Sequence, residues 1–270
     1  SLYWLNIFIA ILLFTMMLIL APLISQFYAE PLLVELIVVL SLNFIILAFG
    51  NQHRVLLQKK LQFNTIAKVE ISSTFISVAT AIFLSIYDYG IYSLVYGTIV
   101  KAIVSSSLYM IIGIKEHKPS FLFKLKYIKP FLSFGMYRTA QSALNYFNSE
   151  FDVILIGKLL GVEALGFYSI MKQLAMRPLQ LIGPVVTKVA FPILAKLQND
   201  LLELKNAYLK IIYYITLITF PIYILITILA EPIVLIMFGE KWITSSVILQ
   251  ILAIFFLLKS TGSSIGSLIM

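Results

Sequence analysis

The chain has 270 residues, 61% of them hydrophobic and only 12% charged, with a formal net charge of +8 and no cysteine. A soluble domain carries about 25% charged residues. A mean hydropathy of +1.00, spread over the whole length, therefore excludes a soluble domain with one anchor and indicates an all-α, polytopic membrane protein.

The absence of cysteine excludes disulfides and thiolate metal sites. The two histidines, His53 and His117, lie in polar stretches and leave little for a catalytic metal, so neither a metal nor a cofactor is expected. A crossing needs about 20 apolar residues. Eight segments meet that length: 3–25, 32–50, 66–86, 91–113, 130–157, 166–187, 208–230 and 243 to near the end. Runs this long exclude a membrane β-barrel, whose strands alternate over about 10 residues.

The connections alternate in charge. Residues 26–31 and 87–90 hold no Lys or Arg, and 157–166 and 231–242 hold one each (Lys158, Lys241). The other three are basic: 51–68 (Arg54, Lys59, Lys60, Lys68), 114–129 (Lys115, Lys118, Lys124, Lys126, Lys129) and 188–210 (Lys188, Lys196, Lys205, Lys210). Basic connections stay in the cytoplasm, and eight spans satisfy the alternation throughout. The same bias accounts for most of the positive charge, so no nucleic-acid partner is expected.

Ser1 leads straight into an apolar run without the charged leader of a signal peptide, and the sequence stops within another apolar stretch, "GSSIGSLIM". Both ends are those expected of a segment of a longer protein. The basic, aromatic stretch "FLFKLKYIKPF" reads equally as an interfacial amphipathic segment or as a plain cytoplasmic loop. It divides the chain into first-lobe helices (1–114), a connection (115–129) and second-lobe helices (130–270). "DYGIYSLV" (88–95) and "ALGFYSIM" (164–171) share Gly-x-Tyr-Ser at the start of an inward-running helix, a weak trace of a structural repeat.

The stretch "SFGMYRTAQSALNYFNSEFDVILIG" (133–157) is long enough to cross a bilayer yet rich in polar groups. At helical periodicity Arg138, Gln141, Ser142, Asn145, Asn148, Ser149 and Asp152 share a face about 120° wide. Glu150 falls off that face and reads as interfacial. Smaller stripes recur: Glu70, Ser73, Thr74, Ser77 and Thr80; Thr98, Lys101, Ser105 and Tyr109; and Ser169, Gln173, Arg177 and Gln180, with Lys172 at the edge. Pro178 and Pro184 are expected to kink the last of these helices.

Hydroxyls and amides in membrane helices serve commonly as interhelical glue. Cations are another matter, since each costs about 2.5–3.5 kcal/mol at mid-membrane and so faces a cavity or a partner. Lys172 and Asp152 both lie roughly 7–9 Å from the outer connection by helical rise and suit an ion pair. Arg177, near the midplane, and Arg138, in the cytoplasmic half, have no carboxylate at their depth. Either they line a wet path for an anion such as a diphosphate, or they pair with helices beyond this segment. Glu70, near its helix's cytoplasmic end, reads as an interfacial carboxylate.

No Gly-rich phosphate loop, zinc-protease motif or metal-ligand cluster is present, and the connections are too short for the paired carboxylates of a glycosyltransferase. No re-entrant pore loop is visible. The pattern fits a secondary transporter rather than an enzyme.

"FGMYRTAQSALNYFNSEFDVILIGKLLGVEALGFYSIMKQLAMRPL" (134–179) resembles the start of the second lobe of bacterial polysaccharide flippases. These are the O-antigen and colanic-acid exporters of the MOP superfamily, relatives of the MATE exporters. The resemblance rests on Phe134-Gly135, Asn145, Asp152, Ile156-Gly157, Leu160-Gly161, Leu165-Gly166-x-Tyr168 and Pro178. Phe191-Pro192, then Gly239 and Trp242, and the stretch 49–71 match further segments in order.

The resemblance implies the third through tenth of about fourteen helices, in two lobes around a central cavity. It also implies a multi-pass protein of the bacterial inner membrane that flips an undecaprenyl-diphosphate-linked oligosaccharide for surface polysaccharide biosynthesis, by alternating access, as in a family of which some members couple to an ion such as a proton or sodium. Arg138, Lys172, Arg177 and Lys101, chosen by phase and depth and not by family motif, would then meet the anionic diphosphate lipid, and the amides Gln141, Asn145, Asn148 and Gln173 its sugars, with Asp152 on the same substrate-facing stripe. The alternative is a MATE-like exporter of small organic cations, with Asp152 binding substrate or ion.

Overall fold

Backbone amides in hydrocarbon have no water to bond, so each apolar run must close its own hydrogen bonds as a helix. The computed structural model describes residues 2–114, 125–197 and 200–262. Its elements are α1 (Leu2–Tyr28), α2 (Leu32–Lys59), α3 (Phe63–Ile86), α4 (Ile91–Ile114), α5 (Leu125–Lys196), α6 (Leu201–Ile228), α7 (Ala230–Phe238), a 3-10 turn (Glu240–Ser245) and α8 (Ser246–Gly262). No strand occurs among the described residues.

Seven helical stretches among those residues are long and apolar enough to cross a membrane. One of them, Gly135–Gly183, has 49 residues, more than twice what one crossing needs. It breaks at Gly161, whose φ of 86° and ψ of 177° are open to glycine but not to residues with a side chain. The expected connection 157–166 thus shrinks to a break between two helical arms, 125–160 and 162–196, and eight crossings are accounted for. The second arm stays helical through Pro178 and Pro184.

Other helices outrun their apolar cores. α2 continues to Lys59, through half of the expected connection. α6 begins at Leu201, because the Asp200 carboxylate accepts from the Leu202 and Glu203 amides at 2.9 and 3.0 Å and caps the free N-terminal donors. The expected outer loop 231–242 is mostly helix α7, ended by Gly239 at φ 87°. Residues 115–124, the bulk of the expected inter-lobe connection, lie outside the described residues.

The chain forms two compact units, Ser1–Ser149 and Glu150–Met270. In the first, α2 packs against α1 and α4, and α4 against α3. In the second, Tyr223 of α6 is fully buried among Met171, Ala175, Val234, Leu249 and Phe256, and its hydroxyl donates to the Ala175 carbonyl at 3.1 Å.

Polarity is sorted the opposite way from a soluble bundle. On α3, Ser73 is fully buried while Phe75, two residues on, is 74% exposed. Ser105, Ser106, Thr219 and Ser260 are likewise buried, whereas Phe8, Ile71 and Ile236 point outward. Such a surface is stable only against lipid.

Without a hydrophobic force between helices, close packing relies on small residues and hydrogen bonds. α2 meets α4 at Gly50, where a Cβ would lie 2.7 Å from the Ser106 Cα, and the Ser106 hydroxyl donates to the Ile46 carbonyl at 2.6 Å. α3 meets α4 at Gly97, whose carbonyl accepts from Ser77 at 2.7 Å. At the inner end the His53 ring packs on Gly113, where a Cβ would fall 2.0 Å from Nδ1. His53 is therefore a buried residue of the α2–α4 seam, not part of a polar connection.

Gly50→Val should push α2 off α4 and cost about 1–3 kcal/mol, whereas Gly135→Ala, with open space around its Cβ, should not. Thermal unfolding of the two variants in detergent checks this.

Candidate functional site

The polar stripe on α4 is built by spacing alone: Thr98, Lys101, Ser105 and Tyr109 recur every three or four residues and so share one face. On α2, Asn43, Leu47, Asn51 and Arg54 do the same. Where the two faces meet, with Glu70 of α3 alongside, the first unit holds a groove of about 560 Å³. Leu47, Gly50 and Ala102 line its remaining wall.

The groove's charges fall into two groups. Toward the inner end of the helices, Glu70 Oε1 lies 3.5 Å from Arg54 Nε and accepts from the Tyr109 hydroxyl at 3.0 Å. Glu70 is thus held in a three-residue network, not left as a lone interfacial carboxylate. Lys101 sits near the middle of α4 and, among the described residues, has neither hydrogen bond nor ion pair. Asn43 Oδ1, buried on the opposite wall, is also unbonded.

The second unit treats its cation differently. Lys172 is 8% exposed, and its ammonium lies 2.9 Å from Asp152 Oδ1 and 3.2 Å from Glu150 Oε2. Tyr168, one turn before Lys172, donates its hydroxyl to Asp152 Oδ2, and the Val153 amide donates to Oδ1 at 2.9 Å. The ion pair expected from helical depth is present. Glu150, expected to stand apart, completes it, because the longer Glu side chain and the flexible Lys stem bridge an angle that Cα directions alone make too wide.

The other expected residues bond within their own helix or, among the described residues, make no side-chain hydrogen bond. Arg138 donates to Gln141 Oε1 at 3.0 Å and Arg177 to Gln180 Oε1 at 3.5 Å, each one turn along its own helix. Asn145, Asn148 and Gln173 are exposed and make no side-chain hydrogen bond among the described residues. No group of three His, Cys, Asp or Glu side chains among those residues is placed to hold a metal ion. The groove's Asn43 and Asn51 escaped the sequence reading, and Arg54 was read only as part of a basic connection, although their spacing with Leu47 matches that of the α4 stripe.

Removing Lys172 would strand two carboxylates. Because Asp152 keeps 40% of its side chain exposed, the cost of Lys172→Met is set below that of a fully buried pair, at about 1–3 kcal/mol. Adding Asp152→Asn should recover part of it. A double-mutant cycle of unfolding free energies measures the coupling.

The family model described as polysaccharide biosynthesis protein matches residues 1–247. The teichuronic acid biosynthesis protein TuaB of Bacillus subtilis (strain 168) is 34% identical over 273 residues, covering 100% of this chain and 56% of that protein. The lipopolysaccharide biosynthesis protein WzxC of Escherichia coli (strain K12) is 32% identical over 270 residues, covering 100% and 55%. The succinoglycan biosynthesis transport protein ExoT of Rhizobium meliloti (strain 1021) is 24% identical over 255 residues, covering 94% and 51%. The chain spans about half the length of these relatives. No solved structure matches it. On its helices, its motifs and these matches, the chain belongs to the polysaccharide biosynthesis protein family and is a multi-pass protein of the bacterial inner membrane.

Proposed function

We propose that the chain is part of a secondary transporter that flips an undecaprenyl-diphosphate-linked oligosaccharide from the cytoplasmic to the periplasmic leaflet by alternating access. No covalent step is involved, and a proton or sodium gradient drives the cycle. The observation that carries this reading is the state of the membrane cations. Among the described residues Arg138 and Arg177 bond only neutral amides. Cations left uncompensated in membrane-spanning helices suit an anionic ligand, and a diphosphate accepts the forked donors of Arg. TuaB and WzxC are biosynthesis proteins and ExoT a biosynthesis transport protein, which supports a role in polysaccharide transport.

The family fold implies two lobes, and we place the first at 1–114 and the second at 130–270, joined by 115–129. Gln141, Asn145, Asn148 and Gln173, with exposed amides, are the proposed partners of sugar hydroxyls. Asp152 and Lys172, tied together with Glu150, then act as a fixed support within the second unit.

The alternative, an exporter of organic cations, needs carboxylates free to receive the cation. Asp152 and Glu150 are both taken by Lys172, and Glu70 by Arg54 and Tyr109, which weighs against it.

A charge-assisted contact contributes about 1.5–3 kcal/mol, so Arg138→Ala with Arg177→Ala should slow flipping of a fluorescent diphosphate lipid-oligosaccharide in liposomes by roughly 10–100-fold or more. Transport at the parental rate in the double variant would remove the cationic contacts from the mechanism.

A further inference from the structure

The groove of the first unit has a composition that an anion-binding cleft alone does not require. Its walls present amides from α2 (Asn43, Asn51), hydroxyls from α4 (Thr98, Ser105) and the Tyr109 phenol, interleaved with Leu47 and Ala102. The amides donate and accept, and the Thr98 and Ser105 hydroxyls, whose protons go to the Val95 and Ala102 carbonyls, accept; both match the hydroxyls of a pyranose ring, and the small apolar patches match its C–H faces. Its volume of about 560 Å³ falls within the range of small-molecule sites, roughly 300–1,000 Å³.

The charge count narrows the ligand further. Arg54 is offset by Glu70 at 3.5 Å, and Tyr109 holds the same carboxylate from the other side. Lys101 is left as the one uncompensated charge among the groove's described residues, on the helix that also carries Thr98 and Ser105. A single cation amid sugar-type partners pairs with a single anion. A phosphate monoester carries about −1.5 to −2 at neutral pH and would exceed it, whereas a carboxylate matches it.

We infer that the α2–α3–α4 groove is a subsite for an acidic sugar, a pyranose bearing one carboxylate, with Lys101 meeting the carboxylate and Asn43 and Asn51 the ring hydroxyls. This rests on the transport reading above and adds to it a preference for acidic over neutral repeat units. Glu70 is a tuning residue, since by neutralising Arg54 it keeps the groove at one net positive charge.

The test is binding of a glucuronate-terminated trisaccharide, its glucose-terminated counterpart and inorganic diphosphate to the purified protein in detergent. The glucuronate form should bind at least about tenfold tighter than the glucose form, and Lys101→Gln should erase that ratio. Glu70→Gln, which adds a net positive charge without touching Lys101, should shift preference toward diphosphate and provides the readout if Lys101→Gln does not fold. Equal binding of the two trisaccharides overturns the inference, as does an unchanged ratio in Lys101→Gln. Diphosphate outcompeting glucuronate in the unaltered protein also overturns it.

Liposome transport separates this from the broader reading. If the unaltered protein flips neither lipid-linked form, the transport reading falls while the binding ratio still decides the groove. If both forms are flipped equally by the unaltered protein and by Lys101→Gln, transport stands and the acidic-sugar subsite falls.

Discussion

A cation inside a bilayer must be neutralised, hydrated or bound, and that constraint organises this protein. Lys172 is neutralised: it is sealed to 8% exposure against two carboxylates, one of them also held by a tyrosine. Lys101 is not, and it faces a groove lined with amides and hydroxyls. The same residue type at comparable cost therefore serves two ends. One secures a helix pair within its unit, and the other lines a groove without a partner among the described residues.

The seams around the groove explain how such a surface is kept open. Gly50, Gly97 and Gly113 let α2, α3 and α4 approach until serine hydroxyls reach across to backbone carbonyls. Those contacts hold the helices rigidly by their small faces and leave the longer polar side chains of the adjoining faces to line a cleft. A tyrosine–carboxylate bond recurs in both units: Tyr92 donates to Glu35 at 2.6 Å and Tyr168 to Asp152. Each tyrosine belongs to a Gly-x-Tyr-Ser stretch, so the faint internal repeat in the sequence corresponds to the same kind of bond in each unit.

Much of this is legible in the sequence. Apolar run length gave the helices, because hydrocarbon leaves the backbone no other choice. Helical phase gave the α4 stripe that lines the groove, and equal depth gave the Lys172–Asp152 pair. What escaped had a physical cause in each instance. Glu150 was set aside because a helical wheel tracks Cα directions and ignores side-chain reach. His53 looked polar by its neighbours, but α2 extends through the connection and buries it on Gly113. The break at Gly161 replaced an expected loop, since nothing in "GKLLGVEALG" except glycine's freedom at positive φ marks it.

The claim on which the account turns is that Lys101 lies in water at mid-membrane while Lys172 does not. The absence of native cysteine makes a direct measurement clean: Lys101→Cys, Lys172→Cys and a lipid-facing control, Phe75→Cys, reacted in liposomes with a small anionic methanethiosulfonate. Modification should be fast at position 101 and slow at positions 172 and 75. A rate at position 101 no higher than at position 75 would contradict the claim.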